Sequence, residues 1–275
     1  MSNYRVFLPD LSFYQQTISC QNACPVRTDG RAYVTAIANG EYERAYLIAR
    51  ETNPFASTCG WVCGAPCEAA CRRGKIDTPI AIRALKRFVN DRYGVYLGES
   101  GEAHQPPAWP AYVGPTNAFD LGNTTFPTSR SGLVAARRRS SETGKRVAIV
   151  GAGPAGLSCA HDLALLGHEV TVFDSAPVAG GMLLLGVPEY RLPRELVDLE
   201  IQAILALGPS LELNQALGRD FTLVDLRRSY DAVLIAIGNY RSRNLNIEGE
   251  QLDGVLRAVD FLLNVNLGGY NLDLG

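Results

Sequence analysis

At 275 residues and 47% apolar content, the chain is long enough to pack about two domains, which excludes a disordered polypeptide. Its 26 Lys and Arg face 28 Asp and Glu, so no broad cationic surface points to nucleic acid or anionic lipid. The first residues, Met1 to Leu11, lack a basic segment followed by an apolar core, and no run of about 18 apolar residues occurs. The expectation is a soluble, cytoplasmic protein without a transmembrane segment. Seven cysteines in such a chain argue against a disulfide scaffold and for metal, redox or core roles.

Residues 1–94 read as small helices. One covers about 30–38, and a second about 41–50, where Tyr42, Ala45, Tyr46 and Ala49 recur at helical spacing until Asn53-Pro54 stops them. A third is expected with Thr78 as N-cap and Pro79 at the first helical position, carrying Ile82, Leu85, Phe88 and Val89 on one face. Residues 95–144 turn to Pro, Gly, Ser, Thr and Asn without periodicity and read as a connector, with Arg137-Arg138-Arg139 a solvated patch on it. Residues 145–275 change to α/β: a strand from Arg146 to Val150, a helix from Pro154 to Leu166, and a strand from Glu169 to Phe173. Helices near 193–207 and 222–229 and a strand from Ala232 to Ile237 follow.

The first strand runs into Gly151-Ala152-Gly153-Pro154-Ala155-Gly156, a G-x-G-x-x-G that follows an apolar strand, opens a helix and precedes a second strand ending at Asp174. With all three requirements met, the motif reads as a dinucleotide site rather than a bare glycine turn. Gly151 permits the tight turn, Gly153 lets the backbone approach a pyrophosphate, and Gly156 allows close helix packing. The helix N-terminus supplies N–H groups and a positive dipole. Asp174, 18 residues beyond Gly156, is placed to accept hydrogen bonds from an adenosine ribose.

Six cysteines fall in the helical module, as Cys20-x3-Cys24-Pro25 and Cys59-x3-Cys63-x3-Cys67-x3-Cys71. The clustering and the Pro after Cys24 resemble iron–sulfur ligation, while the spacing alone also tolerates zinc. On one continuous helix Cys59 to Cys71 would span about 18 Å, too long to wrap one cluster, so Gly60, Gly64 and Pro66 are expected to break the segment. Cys159, inside the helix after the glycine turn, reads as core. His161 and His168 read as structural, and neither a general base nor a nucleophile is evident.

Two later stretches resemble flavoprotein elements: Gly180-Gly181-Met182-Leu183 with Gly186 to Pro193, including Arg191, and the strand end Ala236-Ile237-Gly238. Taken together the chain resembles the small (beta) subunit of glutamate synthase and its relatives, including the N-terminal half of dihydropyrimidine dehydrogenase. Cys24-Pro25, Cys59-Gly60-x-Val62-Cys63, Pro79 to Ile82, the Gly151 fingerprint, Tyr190 to Pro193 and Val259 to Leu262 appear in the family's order. The resemblance implies an N-terminal all-α, alpha-helical ferredoxin-like iron–sulfur domain followed by a Rossmann-type FAD-binding domain. NAD(P)H would reduce FAD there, and electrons would pass through iron–sulfur to a partner subunit or domain. It implies FAD contacts at Gly151, Gly153, Pro154, Ala155, Gly156, Asp174, Gly181, Met182, Leu183, Arg191 and Gly238, and metal ligands among Cys20, Cys24, Cys59, Cys63, Cys67 and Cys71.

Two departures stand out. Two-cluster relatives carry two further cysteines near Ser12 and Gln15, and where some offer a Gln or Glu ligand this chain has Lys86. Eight ligands are not present, so one 4Fe-4S cluster is expected, with Cys24, Cys63 and Cys67 as ligands and the fourth among Cys20, Cys59 and Cys71. The other departure is that no second glycine fingerprint for NAD(P)H appears before Gly275, so the FAD domain is expected to be partial and the chain a piece of a longer polypeptide. A non-enzymatic assembly module with structural zinc is the alternative. A thioredoxin reductase-like enzyme is disfavoured, since no Cys-x-x-Cys lies near the flavin elements.

Overall fold

The computed structural model describes residues 17–94 and 141–267. Most of the connector, with Arg137 to Arg139, and also Ser12, Gln15, His104 and Leu272 to Gly275, lies outside them. The chain divides into two compact units, residues 1–138 and 139–275.

The first unit is helical: α1 (Ser19–Ala23), α2 (Gly30–Ala38), α3 (Tyr42–Glu51), α4 (Ala56–Val62), α5 (Pro66–Ala69), a 3-10 turn (Arg72–Lys75) and α6 (Ile82–Tyr93). Asp29 caps α2 by accepting the Ala32 N–H at 2.9 Å. Helices α2, α3 and α6 enclose Tyr33, Ala36, Ala45, Tyr46, Ala49, Ile82 and Val89. The small residues of α3 let its neighbours approach, and Tyr33 donates its hydroxyl to the Ile82 carbonyl at 3.0 Å.

Three expectations about this unit are corrected. The helix α6 starts at Ile82, not at Pro79. Its own cap residue, Ala81, offers no side-chain acceptor, and Glu68 of α5 takes the Arg83 N–H at 2.7 Å, so the cap comes from a distant segment. The buried stripe of α6 is Ile82, Lys86, Val89 and Asn90, while Phe88, 37% exposed, packs edge-on against Tyr42 at 5.5 Å. Gly60 does not break α4 but sits inside it, where a Cβ would lie 3.0 Å from the Arg87 Cα, so the glycine permits α4 and α6 to touch.

The second unit is α/β: β1 (Arg146–Val150), α7 (Pro154–Leu165), β2 (Glu169–Phe173), α8 (Met182–Leu185), α9 (Arg194–Leu205), β3 (Ser210–Glu212), α10 (Leu223–Ser229), β4 (Ala232–Ile235) and α11 (Ala258–Leu267). The strands form one parallel sheet in the order β3-β2-β1-β4. Val147 pairs with Val170 on one side and with Ala232 on the other, so the chain winds outward through β2 and β3 and then returns across β1. The carboxyl end of β1 is therefore the topological switch point, where open α/β sheets place ligands. Thr222 and Asp225 cap α10 reciprocally.

Strand β4 stops at Ile235 rather than Ile237. It pairs only with β1 among the described residues, and Ile235 and Ile237 are 45% and 54% exposed. None of the described helices is long and apolar enough to cross a membrane.

Replacing Glu68 by Ala should loosen the first turn of α6 by about 1 kcal/mol, the usual worth of an N-cap. Faster hydrogen exchange at the α6 amides, with those of α3 unchanged, is the expected reading.

Candidate cofactor sites

In the helical unit, α4 ends at Val62, the backbone of Cys63 is extended, and Ala65 is left-handed (φ 52°, ψ 50°) before Pro66 opens α5. The reversal turns Cys67 back toward α4. Arg83 holds it, donating Nη1 to the Cys63 carbonyl at 2.6 Å. The break was expected from Gly64 and Pro66, yet the strained residue is an alanine, which sequence reasoning did not single out.

The six cysteines separate into two groups. Cys24, Cys59, Cys63 and Cys67 line one cavity of about 180 Å3 with Asn53, Tyr33 and Lys86. Cys20 and Cys71 instead line another, of about 680 Å3, with Arg72 and Arg73. Cys67 feels Cys63 and Cys24, and Cys20 feels Cys71, while Tyr33 between them feels Cys67, Cys24 and Cys20. Burial, then the charge of Cys63, pushes the Cys67 thiol up to about 11, and burial also raises that of Cys20. Burial holds Tyr33 neutral well above the usual phenol range.

Two sulfurs already accept hydrogen bonds, Cys59 from Asn53 Nδ2 at 3.1 Å and Cys63 from the Ala65 N–H at 3.4 Å. No three Cys, His, Asp or Glu side chains among the described residues converge as on a single metal ion. Four thiols around a cavity, with N–H donors to sulfur, fit the donor set of an iron–sulfur cluster.

In the second unit the predicted glycines meet. Gly151 has φ 115°, and a side chain there would collide with the Ala236 carbonyl at the end of β4. A methyl on Gly156 would collide with the Gly151 carbonyl, which shows how closely α7 sits on β1. Gly153 is different: a Cβ would meet nothing nearer than the Gly181 Cα at 3.9 Å. Gly181 adopts φ 52°, ψ −135°, open only to glycine, and lies against Gly153, while the Gly180 N–H donates to the Ala152 carbonyl at 2.7 Å. The loop leading to Met182 and Leu183, both half-buried, is thus fixed on the fingerprint. Pro154 is the first residue of α7 and Ala155 the second, both exposed, and no side chain caps the helix. Its first-turn N–H groups are open to an anion.

Asp174 is buried and already engaged. Oδ2 accepts the Ala152 N–H at 2.6 Å and Oδ1 the Ala176 N–H at 2.8 Å, so the carboxylate clamps the glycine loop to the end of β2. It also lines a cavity of about 510 Å3 with Gly151, Ser175, Gln215, Gly238 and Tyr240 at the carboxyl ends of the strands. Arg191 stands exposed and its guanidinium makes no hydrogen bond or ion pair among the described residues. Arg194, which the sequence did not mark, is the ordered arginine: it donates to the Leu184 carbonyl and to Asn266 Oδ1, both at 2.6 Å, joining α8, α9 and α11. His161 hydrogen-bonds Asp162 and His168 bonds Thr143, each at 2.7 Å, and Cys159 is half-buried on α7.

Residues 14–95 match the family described as dihydropyrimidine dehydrogenase domain II, 4Fe-4S cluster, and residues 145–266 match pyridine nucleotide-disulphide oxidoreductase. The fold is thus an N-terminal iron–sulfur domain followed by an α/β oxidoreductase domain. The beta subunit of NADP(+)-dependent formate dehydrogenase from Moorella thermoacetica is 44% identical over 91% of this chain and 34% of its own length. The small chain of NADPH glutamate synthase from Escherichia coli is 31% identical over 89% of this chain and 45% of its own. The PreT subunit of NAD-dependent dihydropyrimidine dehydrogenase from Salmonella typhimurium is 32% identical over 88% and 50%. The chain is homologous to these oxidoreductase subunits and spans about a third to a half of their length.

Gly156→Ala should destabilise the second unit by about 3 kcal/mol through overpacking on β1. Gly153→Ala should cost about 1 kcal/mol or less, since the added methyl meets no protein atom at close range. Hydrogen exchange at the β1 and β2 amides distinguishes the two.

Proposed function

We propose that the chain is the electron-transfer part of an NAD(P)H-dependent oxidoreductase, holding one 4Fe-4S cluster in its helical unit and FAD in its Rossmann-type unit. The observation that carries this reading is the single cavity bounded by Cys24, Cys59, Cys63 and Cys67. Cys59 is thereby the fourth ligand, and Cys20 and Cys71, on a separate cavity, are not ligands of that cluster. Four thiols also suit zinc, but among the described residues no three of them converge as on a single ion, and the family matched by residues 14–95 is described by a 4Fe-4S cluster. The assembly-module reading has no observation of its own.

For the flavin, Gly151 and Gly153 bring bare backbone to the switch point, and the amides after Pro154, at Ala155 and Gly156, face the pyrophosphate from the start of α7. Asp174 keeps a lone pair on each oxygen for the ribose while it clamps the loop. Gly181, Met182 and Leu183 form the wall continuous with Gly153, and Gly238 closes the far side after β4. Exposed Arg191 is left free to meet the cofactor or a neighbouring segment. Bound together, the two cofactors supply the exchange between a two-electron hydride and single electrons that NAD(P)H chemistry requires.

In this reading residues 1–94 are the iron–sulfur domain, 95–144 the connector and 145–275 the FAD domain, and a nicotinamide-binding part and an electron-accepting partner subunit complete the enzyme. The relatives named as subunits of larger oxidoreductases support a partner. Thiols reserved for a cluster suit a reducing compartment, so the cytoplasm is the proposed location.

Anaerobically purified protein should hold about four irons per chain. Cys59→Ser should lose them while Cys20→Ser and Cys71→Ser keep them. About eight irons, or full iron in Cys59→Ser, would overturn the assignment. Gly153→Ala should lower the flavin-to-protein ratio at least tenfold without unfolding the unit, a cost of about 1.4 kcal/mol or more in binding.

A further inference from the structure

The cavity that gathers four thiols also receives three nitrogen-bearing side chains, Asn53, Arg83 and Lys86; the Arg83 guanidinium is engaged by the Cys63 carbonyl at 2.6 Å, which leaves Asn53 and Lys86 to act on the sulfurs. Asn53, 5% exposed, comes from the turn between α3 and α4 and donates Nδ2–H to Cys59 Sγ at 3.1 Å. Its orientation is set by the other end of the same amide, since Oδ1 accepts the Phe55 N–H at 3.0 Å. A flipped amide would place two donors face to face at Phe55, so the N–H is committed to sulfur. Lys86, 8% exposed, comes from the buried stripe of α6 and lines the same cavity.

The Lys86 ammonium has no hydrogen bond or ion pair among the described residues, and its stem occupies a position where an apolar residue would complete the face formed by Ile82 and Val89. The packed stem leaves the ammonium little freedom to leave the neighbourhood of this cavity. Once they ligate a cluster, the four cysteines are thiolates, and they then place the negative charge on this cavity. The placement of Lys86 makes sense as compensation for thiolate charge.

We propose that Asn53 and Lys86 set the reduction potential of the cluster and raise it above what the four cysteines alone would give. The inference rests on the reading that Cys24, Cys59, Cys63 and Cys67 hold a 4Fe-4S cluster. Reduction adds one electron to a thiolate-ligated centre that is already anionic. A hydrogen bond to a ligand sulfur withdraws density from it, and a fixed positive charge nearby attracts the extra electron, so both favour the reduced form. They act through the ligands and the field, and are positioning residues rather than catalytic ones. Two such devices on one buried site would favour electron arrival from the flavin in the full enzyme.

The test is a redox titration of the full chain, loaded with iron and sulfide anaerobically and followed by the EPR signal of the reduced cluster. Asn53→Asp keeps the acceptor for Phe55 and removes the donor to Cys59, and Lys86→Met removes the charge while keeping the stem. Each should shift the midpoint in the negative direction, by about 59 mV for a tenfold fall in the reduced-to-oxidised ratio at fixed potential. Lys86→Arg should return the midpoint toward wild type, and Lys75→Gln, on the exposed 3-10 turn, should leave it in place. Midpoints of the two variants equal to or above wild type would overturn the proposal. Should Asn53→Asp fail to take up iron, Asn53→Ser is titrated against the same criterion. Failure of the underlying cluster reading looks different: the wild-type chain itself then shows no iron or EPR signal, or Cys59→Ser shows both in full.

Discussion

The reversal at Cys63 to Pro66 is the constraint on which the helical unit's chemistry depends. A helix continued from Cys59 to Cys71 would strand its thiols along about 18 Å, beyond the reach of any one cofactor. Placing Ala65 in the left-handed region costs about 1–2 kcal/mol, and the surrounding bonds keep it there: Pro66 starts the next helix and Arg83 grips the Cys63 carbonyl. Because Arg83 sits in the first turn of α6, and Glu68 of α5 in return caps that turn, the bend and the start of α6 stabilise each other. The same helix then carries Lys86 to the thiols. Close packing of α6 on α4, permitted by Gly60 and sealed by Arg87 stacked 3.5 Å from the Trp61 ring centroid, makes the arrangement one packed object.

The Rossmann-type unit solves a different problem, that of leaving backbone uncovered. Gly151 and Gly156 are packed against protein atoms on every relevant side, so their glycines serve folding. Gly153 is packed against one other glycine only, so its missing side chain relieves no clash and leaves the backbone uncovered. The three residues of one motif thus divide between close packing and open backbone, and Asp174, the residue expected to meet a ribose, spends one lone pair of each oxygen on holding the motif in place.

What was legible in the sequence was whatever local chemistry determines. The strands Arg146–Val150 and Glu169–Phe173, the helix Gly30–Ala38 and the strand–turn–helix at Gly151 emerge at their expected positions because apolar alternation, the Asp29 cap and paired glycines act within a few residues. The start of α6 was not legible, because its cap is Glu68, 15 residues away. Nor was its buried face, since Lys86 and Asn90 turn inward to a cavity whose existence no periodicity announces. The division of six cysteines into four and two was equally hidden: every step between neighbouring cysteines in both runs is the same x3, so only tertiary packing separates them. Strand β3, three residues long, is too short to leave a pattern.

Among the described residues strand β4 pairs with β1 alone, and that bears on how the molecule behaves in concentrated solution. A parallel edge with exposed Ile235 and then Ile237 presents main-chain donors and acceptors to any extended peptide that drifts past. A net charge of −2 on 275 residues gives little long-range repulsion to keep two copies apart. Colloidal stability is therefore governed by what lies along this edge: covered by another strand it disappears from view, and bare it is the place where association between molecules begins.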